Sequence, residues 1–187
     1  MMKLIGWWVS EGSLNDWAPV LTQGHGPILN DMKETLRKLG LDFGEWQINR
    51  PSEKPCSMIR LRGMTKLGHW FADHCGHGAA QKHLPEEAFT ANRQGKLALF
   101  HSLMEGDGSK QREGYWSYSS ISTQLADDVQ RLSTLLGYGA RIVFRRTQNL
   151  RWHDQYTVLI NDRRSLTLRK ERNFQSVPYC GSVWCLS

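Results

Sequence analysis

No stretch of the chain approaches the roughly eighteen consecutive apolar residues that a membrane-spanning helix needs, so a bilayer segment does not organise it. Cysteine is scarce: Cys56, Cys75, Cys180 and Cys185 stand alone in 187 residues, with no Cys-x-x-Cys pair. That spacing fits neither a disulfide framework nor a standard zinc site, and reduced thiols are expected. The cluster His69, His74, Cys75, His77 and His83 adds no ligand spacing that would change this. Acid is in the minority, with 18 Asp/Glu against 24 Lys/Arg and a net charge of +6. Low-complexity tracts and a flexible interdomain linker are both missing, so one compact body is expected. The first residues lack the charged, apolar and small-residue zones of a signal peptide, and an intracellular protein is expected.

What is present is a repeated helix. Leu97-Ala98-Leu99-Phe100-His101-Ser102-Leu103-Met104 is a mostly apolar, proline-free run that stops at Gly106-Asp107-Gly108, leaving one carboxylate at the helix end. Alone, such an acid is an ordinary cap. The chain does it twice, however: Leu4-Ile5-Gly6-Trp7-Trp8-Val9-Ser10 leads into Glu11-Gly12-Ser13, as the second run leads into Asp107-Gly108-Ser109. Glu11 and Asp107 lie 96 positions apart, as do Gly6 and Ser102, and Ser10 and Gly106. Both helices thus carry small residues four apart on one face. Small faces let helix backbones approach closer than the usual interaxial distance of about 8–10 Å. Helices packed through those faces bring both carboxylates to one end of a shared seam.

The repeat continues. Met32, Leu39 and Gly40 answer to Val129, Leu136 and Gly137 at an offset of 97, so the chain reads as a duplicated half with pseudo-two-fold symmetry. Leu14–Gln23 reads as strand, 28–39 as a helix, 43–49 and 57–62 as strands, and 65–75 as a helix, so the first half reads helix, two-strand hairpin arm, helix, two strands, helix. Leu84-Pro85-Glu86-Glu87 reads as a helix start. In the second half 115–123, 140–146 and 156–160 read as strands and 125–136 as a helix. Charge is uneven: residues 94–187 hold 13 Lys/Arg against 8 Asp/Glu, a net +5, much of it arginine between Arg141 and Arg172. Alternation puts Met58, Arg60 and Arg62 on one strand face, and Arg141, Val143 and Arg145 on another. Arginine on strands suits phosphate and guanine. The eight tryptophans, Trp7-Trp8 among them, read as core packing.

Two acid-Gly-Ser helices, each followed by strands, helix and strands, resemble the LAGLIDADG homing endonucleases in the single-chain, two-motif form found in inteins. Leu21-Thr22-Gln23 is similar to the family's segment before the first amphipathic helix. Lys82-His83-Leu84-Pro85 is similar to its Lys-x-Ile/Leu-Pro block, 25 residues ahead of Asp107. The tail Val177–Ser187 is similar to the strand by which such inserts re-enter a splicing fold. No splicing nucleophile stands at the start and no His-Asn at the end, so splicing is not expected.

The resemblance implies an α+β fold: pseudo-two-fold duplicated αββαββα halves, 1–93 and 94–187, forming a β-saddle with two central packed helices. It implies a site-specific, double-strand DNA endonuclease using metal-assisted phosphodiester hydrolysis across the minor groove of a long asymmetric target. A pair of carboxylates forced together makes sense where a divalent cation neutralises them, and Mg²⁺ prefers oxygen ligands. Glu11 and Asp107 are the implied acids, with Ser10 and Gly106 beside them at the metal. Ca²⁺ or Mn²⁺ are expected substitutes. Lys82 matches the family lysine; in the second half Lys170 is the candidate counterpart, with Arg163 or Arg164 as the alternative occupants of that position. Candidate DNA contacts are Gln23, Gln47, Arg60, Arg62, Arg141, Arg145, Arg146, Gln155, Arg163 and Arg164. The partner is double-stranded DNA, bound by a monomer in a cytoplasmic (prokaryotic or phage-encoded) or organellar setting. The alternative is a catalytically silent, sequence-specific DNA-binding protein on the same fold.

Overall fold

The structure, a computed structural model, describes residues 1–48, 55–147, 154–162, 177–178 and 180–182. Its first half runs α1 (Met2–Glu11), β1 (Gly12–Asn15), β2 (Ala18–Gly24), α2 (Pro27–Lys38), β3 (Phe43–Ile48), β4 (Cys56–Leu61) and α3 (Thr65–Cys75). A short α4 (Glu87–Thr90) leads into the second: α5 (Arg93–Gly106), β5 (Gly108–Arg112), β6 (Tyr115–Ser120), α6 (Thr123–Leu135), β7 (Gly139–Arg145) and β8 (Gln155–Asn161). The helix starts follow from local chemistry. Pro27 opens α2, the Asn92 carboxamide accepts from Gly95 N at 2.8 Å, and the Ser122 hydroxyl accepts from Leu125 N at 3.1 Å.

The duplication is explicit in the sheets. Both are antiparallel and four-stranded, ordered β1-β2-β4-β3 and β5-β6-β8-β7. α1 and α5 pack on each other between them. The core gathers around Trp7, Trp8, Phe71, Phe100 and Tyr118, with the Trp8 and Phe71 rings stacked at 4.5 Å. Together these elements are the α+β saddle with two central helices expected from sequence.

Three expectations need correction. Trp17 and Trp46, expected in the core with the other tryptophans, are each half exposed. The two-strand hairpin arm is present, but the range 14–23 given to one strand contains its turn: the chain reverses at Asp16 and Trp17, whose φ values of 49° and 60° are left-handed. No glycine marks that turn. Trp17 instead stacks on His69 of α3 at 4.0 Å, and the Arg60 guanidinium donates to Asn15 O at 3.3 Å. Tertiary contacts hold what local sequence did not advertise. The remaining difference is β5, a strand the αββαββα pattern requires but to which the residues gave no range; its Ser-Lys-Gln-Arg stretch is almost wholly exposed and shows no apolar alternation.

Candidate active site

α1 and α5 meet through their small residues. A Cβ on Gly6 would overlap Ser102 Oγ, and one on Gly106 would stand 2.5 Å from Ser10 Cβ. Each contact joins a residue to its own counterpart 96 positions away, as a two-fold axis through the seam requires. The seam ends at Glu11, the last residue of α1, and Asp107, the C-cap of α5. Glu11 leans across it: the same Gly106 Cβ would lie 3.4 Å from Glu11 Oε1.

The electrostatics record this crowding. Burial, and then the Asp107 charge, push the Glu11 carboxyl up to about 7, against relief from Gln23 and Lys82. Burial also raises Asp107, opposed by Lys82 and by the Tyr118 phenol. Tyr118 is fully buried and faces Asp107 and Ser10, so burial and the acid drive its phenol pKa upward.

Lys82 enters from the segment between α3 and α4. It is 5 % exposed, and its ammonium donates to Trp8 O at 2.5 Å and Gly12 O at 2.9 Å, lying 4.4 Å from the Trp8 ring centroid. These carbonyls are acceptors at the C-terminal end of α1, where the helix dipole favours a cation. Burial lowers the Lys82 pKa to about 8, with Cys75, Asp107 and Glu11 pulling it back up. Lys82, Asp107, Ser10, Ser119, Gln155 and His77 line one cleft of about 410 Å³.

The DNA candidates separate by face. Directly opposed residues of an antiparallel pair share a face. Arg145 opposes Gln155, so Arg141, Arg145 and Gln155 form one surface with Ser119 and Thr157, and Arg146 is exposed just beyond it. In the first sheet Arg60 shares the outer face with Met58 and Trp46, and Arg62 follows at its end. Arg60 lies 3.9 Å from Asp16, and Arg62 3.7 Å from Asp42. Gln23 and Gln47 both oppose buried Ser57, on the other face of that sheet. Gln23 donates to Glu11 Oε1 at 3.3 Å, which places it at the acids and not among the arginines. Gln47 shares its side with Glu45, which is engaged by Lys33 and Ser57. Lys170, Arg163, Arg164 and most of the tail lie outside the described residues.

Sequence reasoning passed over Tyr118, Ser122 and Asp128. Asp128 had a readable signal, since Leu125, Asp128, Val129 and Leu132 put a carboxylate on the apolar stripe of α6.

A duplicated helix-and-sheet body built around a central helix pair is the LAGLIDADG fold. Residues 94–172, somewhat less than half of the chain, match the family model of the LAGLIDADG-like domain. Among solved structures it is similar to I-DmoI in complex with DNA and Mn, with a TM-score of 0.58 at 15% identity over 86% of this chain and 88% of that one. Full-length DUF199/WhiA from Thermatoga maritima gives a TM-score of 0.58 at 9% identity over 86% of this chain and 49% of that one. At these identities the likeness is one of fold. A curated relative, the ATP-dependent DNA helicase Hel308 of Thermococcus kodakarensis, is 29% identical over 153 residues. That match takes in 75% of this chain but only 13% of the helicase. No described helix is long and apolar enough to cross a membrane.

Proposed function

We propose that the protein is a divalent-metal-dependent endonuclease that cuts both strands of duplex DNA at a long, asymmetric site. One observation carries the reading: carboxylates from equivalent positions of two packed helices are held together at the end of the seam, against their mutual repulsion. A structural role alone would favour uncharged caps there. The proposed donor set is the two carboxylates with Ser10 and the Gly106 backbone, which lie together at the end of the seam. A sparse, all-oxygen set fits Mg²⁺, which keeps part of its water shell, and accommodates Mn²⁺ or Ca²⁺. When bound, such a cation neutralises the acids and stabilises the attacking and leaving oxygens of phosphodiester hydrolysis.

The chain's own residues do the rest. Glu11 and Asp107 each serve one strand, and Gln23 orients the Glu11 carboxylate. Lys82, its pKa lowered by burial to about 8, holds a proton where negative charge grows on the phosphate. Lys170 is the proposed counterpart for the second half. Arg141, Arg145 and Gln155 read the duplex from the second sheet and Arg60 and Arg62 from the first, with Arg146, Arg163 and Arg164 holding phosphate. The I-DmoI complexes with DNA and Mn, Mg or Ca support this assignment of partner and cations. The helicase match supports a nuclease module carried within a longer polypeptide, and helicase chemistry is not part of the proposal. The protein acts as a monomer with internal pseudo-symmetry, its halves being 1–93 and 94–187.

A second reading, a silent DNA-binding protein, draws on the equal TM-score to DUF199/WhiA. A cleavage selection on randomised duplex DNA with Mg²⁺, beside a binding selection with Ca²⁺, separates the two. Enrichment of cut molecules supports the enzyme. Enrichment in binding alone supports the silent protein.

A further inference from the structure

Lys82 belongs to the connection between the halves, yet the second half holds it in place. The Ser122 hydroxyl, 2 % exposed at the start of α6, donates to Lys82 O at 2.7 Å. Asp128, one and a half turns further along the same helix and 4 % exposed, accepts from Leu84 N at 2.8 Å through Oδ2. Its other oxygen accepts from Gln124 Nε2 at 2.9 Å. Two hydrogen bonds from one helix therefore bracket the lysine, one on its own carbonyl and one two residues on. A buried carboxylate is costly to keep, and here it is spent on one backbone amide and one neighbouring side chain. Asp31, the counterpart of Asp128 at the offset of 97, makes a different bond, accepting from Lys3 of α1 at 2.6 Å. In both halves this aspartate ties down chain associated with a motif helix, but only Asp128 ties the segment that carries the buried lysine.

We infer that Asp128 and Ser122 are positioning residues for Lys82: they fix its ammonium beside the two acids from the opposite half of the molecule. Docking of α6 thereby becomes a condition for a complete active site. The placement stands on the hydrogen bonds, and only its consequence for cleavage rests on the endonuclease reading.

The test reads the two separately. In the full chain, acylation of Lys82 by acetic anhydride is followed by mass spectrometry, with exposed Lys66 as internal standard. Single-turnover cleavage with Mg²⁺ and DNA affinity with Ca²⁺ are measured on the selected target. Asp128→Leu is expected to raise the Lys82 labelling rate at least fivefold and to slow cleavage at least tenfold, with affinity changed less than threefold. Asp128→Asn keeps a carbonyl acceptor for Leu84 N and is expected to restore most of both. Ser122→Asp keeps the N-cap of α6 but loses the donor to Lys82 O, and is expected to behave like Asp128→Leu; Ser122→Thr keeps both functions and the wild-type labelling. Unchanged Lys82 labelling in folded Asp128→Leu and Ser122→Asp overturns the inference. So does a parallel fall in cleavage and affinity that Asp128→Asn does not rescue. Failure of the wild type to cut any DNA counts against the nuclease reading alone, because the labelling still reports where Lys82 sits.

Discussion

Gly6 of α1 lies against Ser102 of α5, its own counterpart 96 positions along the chain, with no room for a Cβ between them. The same exchange of small for smaller recurs one turn on, where Ser10 meets Gly106. The helices can approach this closely only because each hydroxymethyl group faces a glycine. The distance between the two acids is set by that fit.

A swap across the seam tests it. Gly6→Ser should cost roughly 1–3 kcal/mol through overpacking, and more if the backbones cannot separate. The double variant Gly6→Ser/Ser102→Gly restores one hydroxymethyl and one hydrogen, so most of the loss should return. Denaturant unfolding of the wild type, both single variants and the double variant gives the coupling directly. Additive losses would show that the two positions do not share a contact.

The parts of this molecule that were legible in its sequence are those carried by local pattern. The 96-residue spacing of acids and small residues located the seam, and alternation in Ser57–Leu61 located a strand with one buried face. The hairpin arm after α1 was legible but the position of its turn at Asp16 and Trp17 was not, because that turn is held by His69 and Arg60, residues more than forty positions away. The proximity of Gln23 to Glu11 is not legible in sequence, because nothing in one strand says which face meets a helix end; the pairing of Gln23 with Ser57 decides that. Asp128 was visible as an acid on an apolar stripe, but its partner, a backbone amide in another segment, was not.

Metal-free stability should fall as pH rises. Glu11 in the folded protein holds its proton up to about 7, whereas the unfolded residue releases it near 4.5. Between these values the folded state binds more protons, so stability drops with increasing pH. The penalty is absent below about 4.5 and complete above about 7. Asp107, also raised, adds in the same direction. After screening for partial exposure it is on the order of 1 kcal/mol, or roughly 2–4 °C in Tm for a chain of this size. Thermal melts in EDTA from pH 5 to 8 should show the decline, Mg²⁺ should reverse it at pH 8 and not at pH 5, and Glu11→Gln should flatten it. A Tm that rises over this range without metal would contradict the burial of the acids.

DNA affinity should depend steeply on salt, and part of that dependence should belong to Arg141 and Arg145. Contact with about six to ten phosphates lowers affinity by roughly 10³–10⁵ between 50 and 200 mM salt. Reversing both arginines to glutamate should reduce the slope of log K against log salt by about two, if each neutralises one phosphate. Equilibrium titrations with Ca²⁺ at several salt concentrations measure it. An unaltered slope removes the face shared by Arg141, Arg145 and Gln155 from the interface.

Chemistry and recognition should come apart at the acids. Glu11 and Asp107 sit at the end of the helix seam, while Arg60, Arg141 and Arg145 lie on the strand faces. Asp107→Asn or Glu11→Gln removes one charge from the proposed cation-binding pair and leaves those faces untouched. Stabilisation by a bound cation is worth several kcal/mol in the transition state, and each 1.36 kcal/mol is about tenfold in rate. Double-strand cleavage should therefore drop by at least about a hundredfold. Binding should hold or tighten slightly, because without metal a carboxylate facing phosphate repels it. The two variants should also differ: Glu11→Gln leaves the second-half acid with its Tyr118 neighbour, and Asp107→Asn leaves Glu11 with Gln23 and without its main repulsive charge. Nicking assays with each strand labelled in turn, run with Mg²⁺ beside a Ca²⁺ binding titration, resolve which strand each acid serves. Full double-strand cleavage by either variant would make its acid a helix cap and nothing more.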